Sequence, residues 1–247
     1  MSWLDLNADV GEGIGNDAAM LEIVSSANIA CGGHAGNQET MLAALRAAKA
    51  HGVTVGAHPG FADPEHFGRR RLVLPPAELD ASIRAQVRGL VELAEAEGVR
   101  VRYVKLHGAL ANMAAEEPAI AAVSFAACEG LVQEMGLLAI DNSAQVDVGE
   151  MMGFRVLREA YADRAYRPDG LLVSRSEPGA VLHDADEIAA RAVRLAKTGE
   201  IVAIDGSIIQ TEAKSLCIHG DTPDAVGIAW AVRAALEGAG IAVRAAF

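Results

Sequence analysis

Apolar positions recur along the chain with two different periods, and the two alternate. Stripes at helical spacing, such as Met41, Leu42, Leu45 and Ala48 or Leu79, Ile83, Val87, Leu90 and Ala94, predict amphipathic helices. Between them stand short runs that are almost wholly apolar: Val53–Val55, Val99–Val104, Leu137–Ile140, Phe154–Leu157, Ile201–Ile204 and Ile241–Val243. Such runs read as strands with helices over both faces of a sheet. Each follows closely on a glycine, in turn Gly52, Gly98, Gly136, Gly153, Gly199 and Gly240. That is the residue expected where a helix stops with one position at positive φ. Leu4–Asn7 adds a first strand and Ser26–Ala30 a weaker second one. The last helix is expected to open at Thr222-Pro223, a hydroxyl cap followed by proline in the first turn.

Strand and helix alternating throughout predict an α/β fold with a mainly parallel sheet. A length of 247 residues suits a closed β/α barrel, and no linker or composition break divides the chain. One barrel domain over residues 1–247 is therefore preferred to a doubly wound open sheet. Eight strands and an irregular set of seven fit equally well.

Composition narrows the class. Hydrophobic residues make up 51%, enough for a core, which excludes a disordered chain. The 33 acidic and 21 basic side chains give a net charge of −12, a poor match to nucleic acid. No apolar run approaches the roughly 18 residues of a membrane helix. Asp5, Asp9 and Glu12 argue against a secretory leader, and the three scattered cysteines against a disulfide framework. The expectation is a soluble cytoplasmic protein.

In β/α folds the chemistry gathers at the carboxyl ends of the strands. Four of seven histidines fall at such ends: His34, His58, His107 and His219, each beside glycine or proline. One such histidine is usually structural, whereas four around one axis point to a site. Asn7 and Asp9 share a face of the first strand, with Glu12 on the loop that follows; a glycine-rich turn capped by acids is the rival explanation. Lys105 lies in the apolar strand Tyr103–His107 and shares a face with His107. Lysine is rarely buried without a partner or a function, and Asp9 or Asp205 could pair with it. Two long loops carry arginines suited to gripping a carboxylate or phosphate: Arg69, Arg70 and Arg71 in Gly60–Leu74, and Arg164, Arg167 and Arg175 in Ala160–His183. The sequence has no G-x-x-x-x-G-K-[ST] phosphate loop, no G-x-S-x-G elbow and no C-x-x-C pair.

Several segments together resemble the LamB/YcsF family. They are Asp5–Gly13, Ser26–Gly36, Gly56–Gly60, Phe67–Arg70, Val104–Leu110, Ala162–Tyr166 and Cys217–Pro223, in the family's order and nearly end to end. The resemblance implies an irregular β/α barrel of the glycoside hydrolase/deacetylase type, with seven strands the expectation. It implies one component of an ATP-dependent 5-oxoprolinase, which opens 5-oxo-L-proline to L-glutamate with two further subunits of B and C type. ATP would be co-substrate. Some superfamily relatives hold a divalent metal with an aspartate and histidines; if one is bound here, Asp9, His34 and His58 are the expected ligands. The residues expected to carry catalysis are Asp9, Glu12, Lys105 and His107. Those expected to bind the small-molecule substrate are Asn7, His34, His58, Arg70, Arg164, Asp205 and His219. Gly33 and Ala111 stand where the family more often has aromatic rings, which would enlarge the pocket. Two other readings compete: a stand-alone metal-dependent amidohydrolase or deacetylase, and a non-catalytic module that presents substrate to partners.

Overall fold

The computed structural model describes residues 2–131 and 134–247. Strands and helices follow the predicted alternation: β1 (Trp3–Val10), α1 (Asp17–Leu21), β2 (Ser26–Ala30), α2 (Gln38–His51), β3 (Thr54–His58), α3 (Pro76–Ala96) and β4 (Val101–Val104). Next come α4 (Gly108–Glu116), α5 (Pro118–Ala126), β5 (Gly136–Ile140), α6 (Ala144–Met151), β6 (Arg155–Tyr161) and α7 (Ala185–Thr198). The chain ends with β7 (Glu200–Val202), β8 (Ile208–Gln210), β9 (Ser215–Ile218), α8 (Ala225–Gly238) and β10 (Ala242–Val243).

Seven parallel strands close in the order β1-β2-β3-β4-β5-β6-β9, with β9 pairing back to β1. The irregular seven-stranded barrel is therefore the observed architecture. Strand β10 adds a short parallel pair at the start of β1. Among the described residues no helix is long and apolar enough to cross a membrane.

Two expectations about elements fail. The run Ile201–Ile204 is not a barrel strand: β7 pairs antiparallel with β8 in a separate hairpin. The seventh place belongs to β9, whose four residues follow Lys214 and carry too short an apolar run to stand out. The last helix begins at Ala225, after Asp224 in a left-handed conformation, so Thr222 does not cap it. Its hydroxyl donates to Asp163 instead. Of the six glycine junctions, five have positive φ; Gly136 instead starts β5, where Phe247 fills the space a side chain would take.

Alternation along β1 divides core from interior. Leu4, Leu6, Ala8 and Val10 are buried in the apolar layer beneath the helices. Asp5, Asn7 and Asp9 point the other way, into the barrel, and find partners on other strands. Asp5 at the base accepts hydrogen bonds from Ser25, Ser26 and Ser215 at 2.6–2.7 Å. Asn7 donates to Glu159 and Ser215, both at 2.8 Å, and accepts from Asn28 and Lys105. Tyr103 OH donates to Asn28 at 2.7 Å. A polar interior is tolerable because nearly every donor and acceptor in it is paired.

Candidate functional site

The polar column of the barrel rises to a cavity of about 490 Å³ at the carboxyl ends of the strands. Its floor is Asp9, His58, Lys105 and His107, and its walls come from the two long loops and the segment after β9. Lys105 is 2% exposed. Its ammonium lies 3.2 Å from Asp9 Oδ1, 2.8 Å from Glu159 Oε1, 3.2 Å from Asn7 Oδ1 and 3.0 Å from Cys217 Sγ. Four acceptors surround three hydrogens, so Lys105 holds Asp9 in place and acts on the cavity through its charge. Burial alone would lower its pKa, but Asp9, Cys217 and Glu159 outweigh that and raise it well above the ordinary lysine value. For Asp9, burial pushes upward, and His58 and Lys105 together bring the carboxyl well below its usual range.

Beside this pair stand three imidazoles and a carboxyl. Glu12, His34, His58 and His107 each bring one donor atom within 4.8 Å of the others. His58 Nδ1 donates to the Lys105 carbonyl at 2.8 Å, and His107 Nε2 donates to the Phe67 carbonyl at 3.0 Å. Those bonds assign the ring protons. They leave His58 Nε2 and His107 Nδ1 facing each other at 3.0 Å, with Asp9 Oδ2 3.3 Å from the same His58 nitrogen. Two lone pairs that close repel unless one cation, a proton or a metal ion, serves both. The rings stand 87° apart, so both can address one ion. His34 cannot join His107 on that ion, because their rings stack 3.5 Å apart at 2° and their lone pairs lie in parallel planes. The donor set that fits a metal is thus Glu12, His58 and His107, with ring orientation fixed by carbonyls in the manner of metal-binding histidines. The expected trio of Asp9, His34 and His58 does not form one cluster: Asp9 Oδ2 lies 3.3 Å from His58 Nε2, but Asp9 otherwise groups with Cys217 and His219, and Lys105 already touches two of those three.

A glycine makes this packing feasible. Gly68 has φ +61°, and a Cβ there would lie 2.6 Å from the His34 Cβ, so the loop can close over the histidines only without a side chain.

The LamB/YcsF family model matches residues 4–247. The chain belongs to the LamB/YcsF family. It is 49% identical over 246 residues to a protein from Paracidovorax citrulli (strain AAC00-1) named as the A-type component of 5-oxoprolinase, covering 98% of each chain. It is similar to the crystal structure of a lactam utilization protein from Thermus thermophilus, with a TM-score of 0.92, 41% identity and 99% and 100% of the two chains covered. A polysaccharide deacetylase from Bacillus cereus shares the fold alone, at a TM-score of 0.50 and 13% identity, with 100% and 93% covered.

In this LamB/YcsF protein the structure brings together most of the predicted site residues and displaces others. Asp9, Glu12, His58, Lys105, His107, Arg164 and His219 border the cavity. Asn7 and His34 are buried beneath or behind that lining. His34 Nε2 lies 3.0 Å from Glu12 Oε1, and burial followed by the neighbouring His58 lowers its pKa to about 3. Burial, then the charge on Asp9, raises Glu12 well above the usual carboxylate range, which favours its neutral acid.

Arg70 is a correction: it turns away to Asp63 at 3.3 Å, while Arg69 and Arg71 on either side of it face the cavity. Arg164 lines the wall, yet its Nε and Nη2 donate to the Ala180 and Val173 carbonyls, so it shapes its own loop. Asp205 is exposed in the β7–β8 turn, bonded to Ser207, because the run before it never enters the barrel. The space beside Gly33 is filled by Gln86, which also clasps the Gly60 backbone, so no enlargement arises there; Ala111 does border the cavity.

Three participants were not expected. Glu159 lies beyond Leu157, past the apolar part of its strand; continuing the alternation would have turned Glu159 and Tyr161 inward. Asp163 binds His219, and Asp221 binds both Arg69 and Arg175 at the mouth.

Proposed function

We propose that the chain is the A-type component of an ATP-driven 5-oxoprolinase, opening 5-oxo-L-proline to L-glutamate. The observation that carries this is a full-length likeness to proteins named as that component, joined to a cavity floored by Asp9, Lys105 and two imidazoles. A lactam is a poor electrophile, and its opening needs a driving force. Phosphorylation of the ring carbonyl oxygen by ATP supplies one by making C5 reactive. The absent phosphate-loop motif favours partner subunits of B and C type as the place where ATP is handled.

Within this chain, a water placed against His58, His107 and Asp9 gives up its proton to the facing imidazole nitrogens. That uptake relieves their lone-pair repulsion, and the Asp9 carboxylate balances the new charge. A positioned base of this kind contributes about 100- to 10,000-fold. Lys105 keeps Asp9 ionised and oriented, and its charge favours an oxyanion developing above it. Arg69 and Arg175 flank the mouth and replace Arg70 as the groups suited to the substrate carboxylate. Were a divalent ion bound, Glu12, His58 and His107 would hold it, and it would polarise the attacking water. The cavity exceeds what a small lactam needs and leaves room for a phosphoryl group.

The test is glutamate release from 5-oxoproline and ATP, with and without the two partner proteins. Release that requires all three proteins supports the reading. Release by this chain alone, without ATP, would favour the stand-alone hydrolase instead.

A further inference from the structure

Resting on that reading, we propose that His219 is the acid that protonates the leaving ring nitrogen, that Asp163 positions it, and that this proton decides whether phosphorylation leads to ring opening or back to the lactam. His219 follows β9, across the barrel from His58 on β3 and His107 after β4, and borders the same cavity. Its Nδ1 lies 2.9 and 3.1 Å from the two carboxylate oxygens of buried Asp163. Thr222 donates to the same carboxylate at 3.3 Å. The Tyr161 ring stacks on the imidazole at 5.3 Å and 18°, which limits its rotation. With Nδ1 committed to Asp163, Nε2 is the nitrogen left for a ligand. A buried carboxylate behind a histidine fixes its tautomer and its orientation. Burial pushes the Asp163 carboxyl upward, but His219 together with Arg175 and Arg164 outweighs it and keeps Asp163 below its usual range, hence ionised.

The chemistry requires a group at this place. Phosphorylation of the lactam oxygen, with loss of the N–H proton, gives a C5=N imidate. Water adds across that bond, and C5 then carries a hydroxyl, a phosphate ester and a ring N–H. If the C5–O bond to phosphate breaks, the lactam returns and ATP has been hydrolysed with no product. If the C5–N bond breaks, its electron pair goes to nitrogen, which takes a proton, and the C5 hydroxyl loses one. The product is an acyl phosphate, which a second water hydrolyses to glutamate and phosphate. Phosphate leaves more readily than an unprotonated amine, so the proton delivered to nitrogen sets the outcome. The floor imidazoles collect the proton lost from oxygen, and His219 Nε2 supplies the one gained by nitrogen from the opposite wall.

The experiment measures ADP and glutamate together in the reconstituted three-protein complex. Wild type should form about one ADP per glutamate. In His219→Gln, ADP formation should stay within about threefold while glutamate falls by about 100-fold or more, the usual weight of a general acid. Asp163→Asn, which keeps a hydrogen-bonding group but removes the charge, should give an intermediate ratio. Proportional loss of both products in His219→Gln, or an unchanged ratio in both variants, would overturn the proposal. A wild-type complex that releases no glutamate from 5-oxoproline and ATP would instead remove the underlying reading.

Discussion

Replacing Lys105 with methionine keeps the length of the side chain and removes its ammonium from the polar column. Asp9 at 3.2 Å and Glu159 at 2.8 Å would then be left without that cation. Both carboxylates are almost fully buried, at 7% and 1% exposure, so solvent replaces the lost partner poorly, and least of all at Glu159. Removing one member of a buried ion pair costs about 3–5 kcal/mol. With a urea slope of about 3 kcal/mol/M, a loss of about 4 kcal/mol lowers the unfolding midpoint by roughly 1.3 M. The assay is urea unfolding followed by circular dichroism on the full chain. Lys105→Met with Glu159→Gln neutralises one stranded carboxylate and should recover at least half of the loss; such non-additivity is the signature of a direct interaction. A shift below about 0.3 M for Lys105→Met, or simple additivity in the double variant, would refute the claim that this lysine anchors the interior.

Further outcomes follow from the same geometry. His34, with its pKa lowered from 6.5 to about 3, is neutral in the fold, while the unfolded chain takes up a proton below pH 6.5. Its contribution is therefore present above pH 6.5 and lost as the pH falls toward 3, at up to about 1.4 kcal/mol per pH unit; urea midpoints across that window should fall more steeply in wild type than in His34→Gln. Gly68→Ala places a Cβ against His34 at positive φ and should destabilise by roughly 1–3 kcal/mol, read as a lower thermal midpoint. Arg175→Ala should raise KM for 5-oxoproline about tenfold or more, the weight of a charge-assisted hydrogen bond, whereas Arg70→Ala and Asp205→Asn should leave it within about twofold, since neither side chain reaches the cavity.

The barrel was legible because helices and buried strands leave different periods in a chain, and the glycines between them mark where one gives way to the other. Asp9 was legible because it shares a strand face with Asn7, and Lys105 and His107 because the alternation of β4 carries on past its end at Val104. What stayed hidden depends on contacts between strands. Ser215–Ile218 is too short to announce itself, and the longer apolar run Ile201–Ile204 draws the reading away from it, taking Asp205 along. Glu159 sits past the apolar part of β6, in a stretch whose inward face is polar because Lys105 is there to meet it. No local pattern separates Arg70 from Arg69 and Arg71 either; Asp63 decides which way it turns. His34 and His107 look equivalent along the chain, but stacking puts one behind the other.

The most direct measurement is turnover of 5-oxoproline by the reconstituted complex carrying Asp9→Asn. This change keeps the side chain's shape and its acceptor oxygen for Lys105 and Asn28 while removing its charge. A fall in glutamate release of about 100-fold or more, with the circular dichroism spectrum unchanged, is what a reaction at the rim of this barrel requires. Glutamate release within about threefold of wild type would place the chemistry elsewhere.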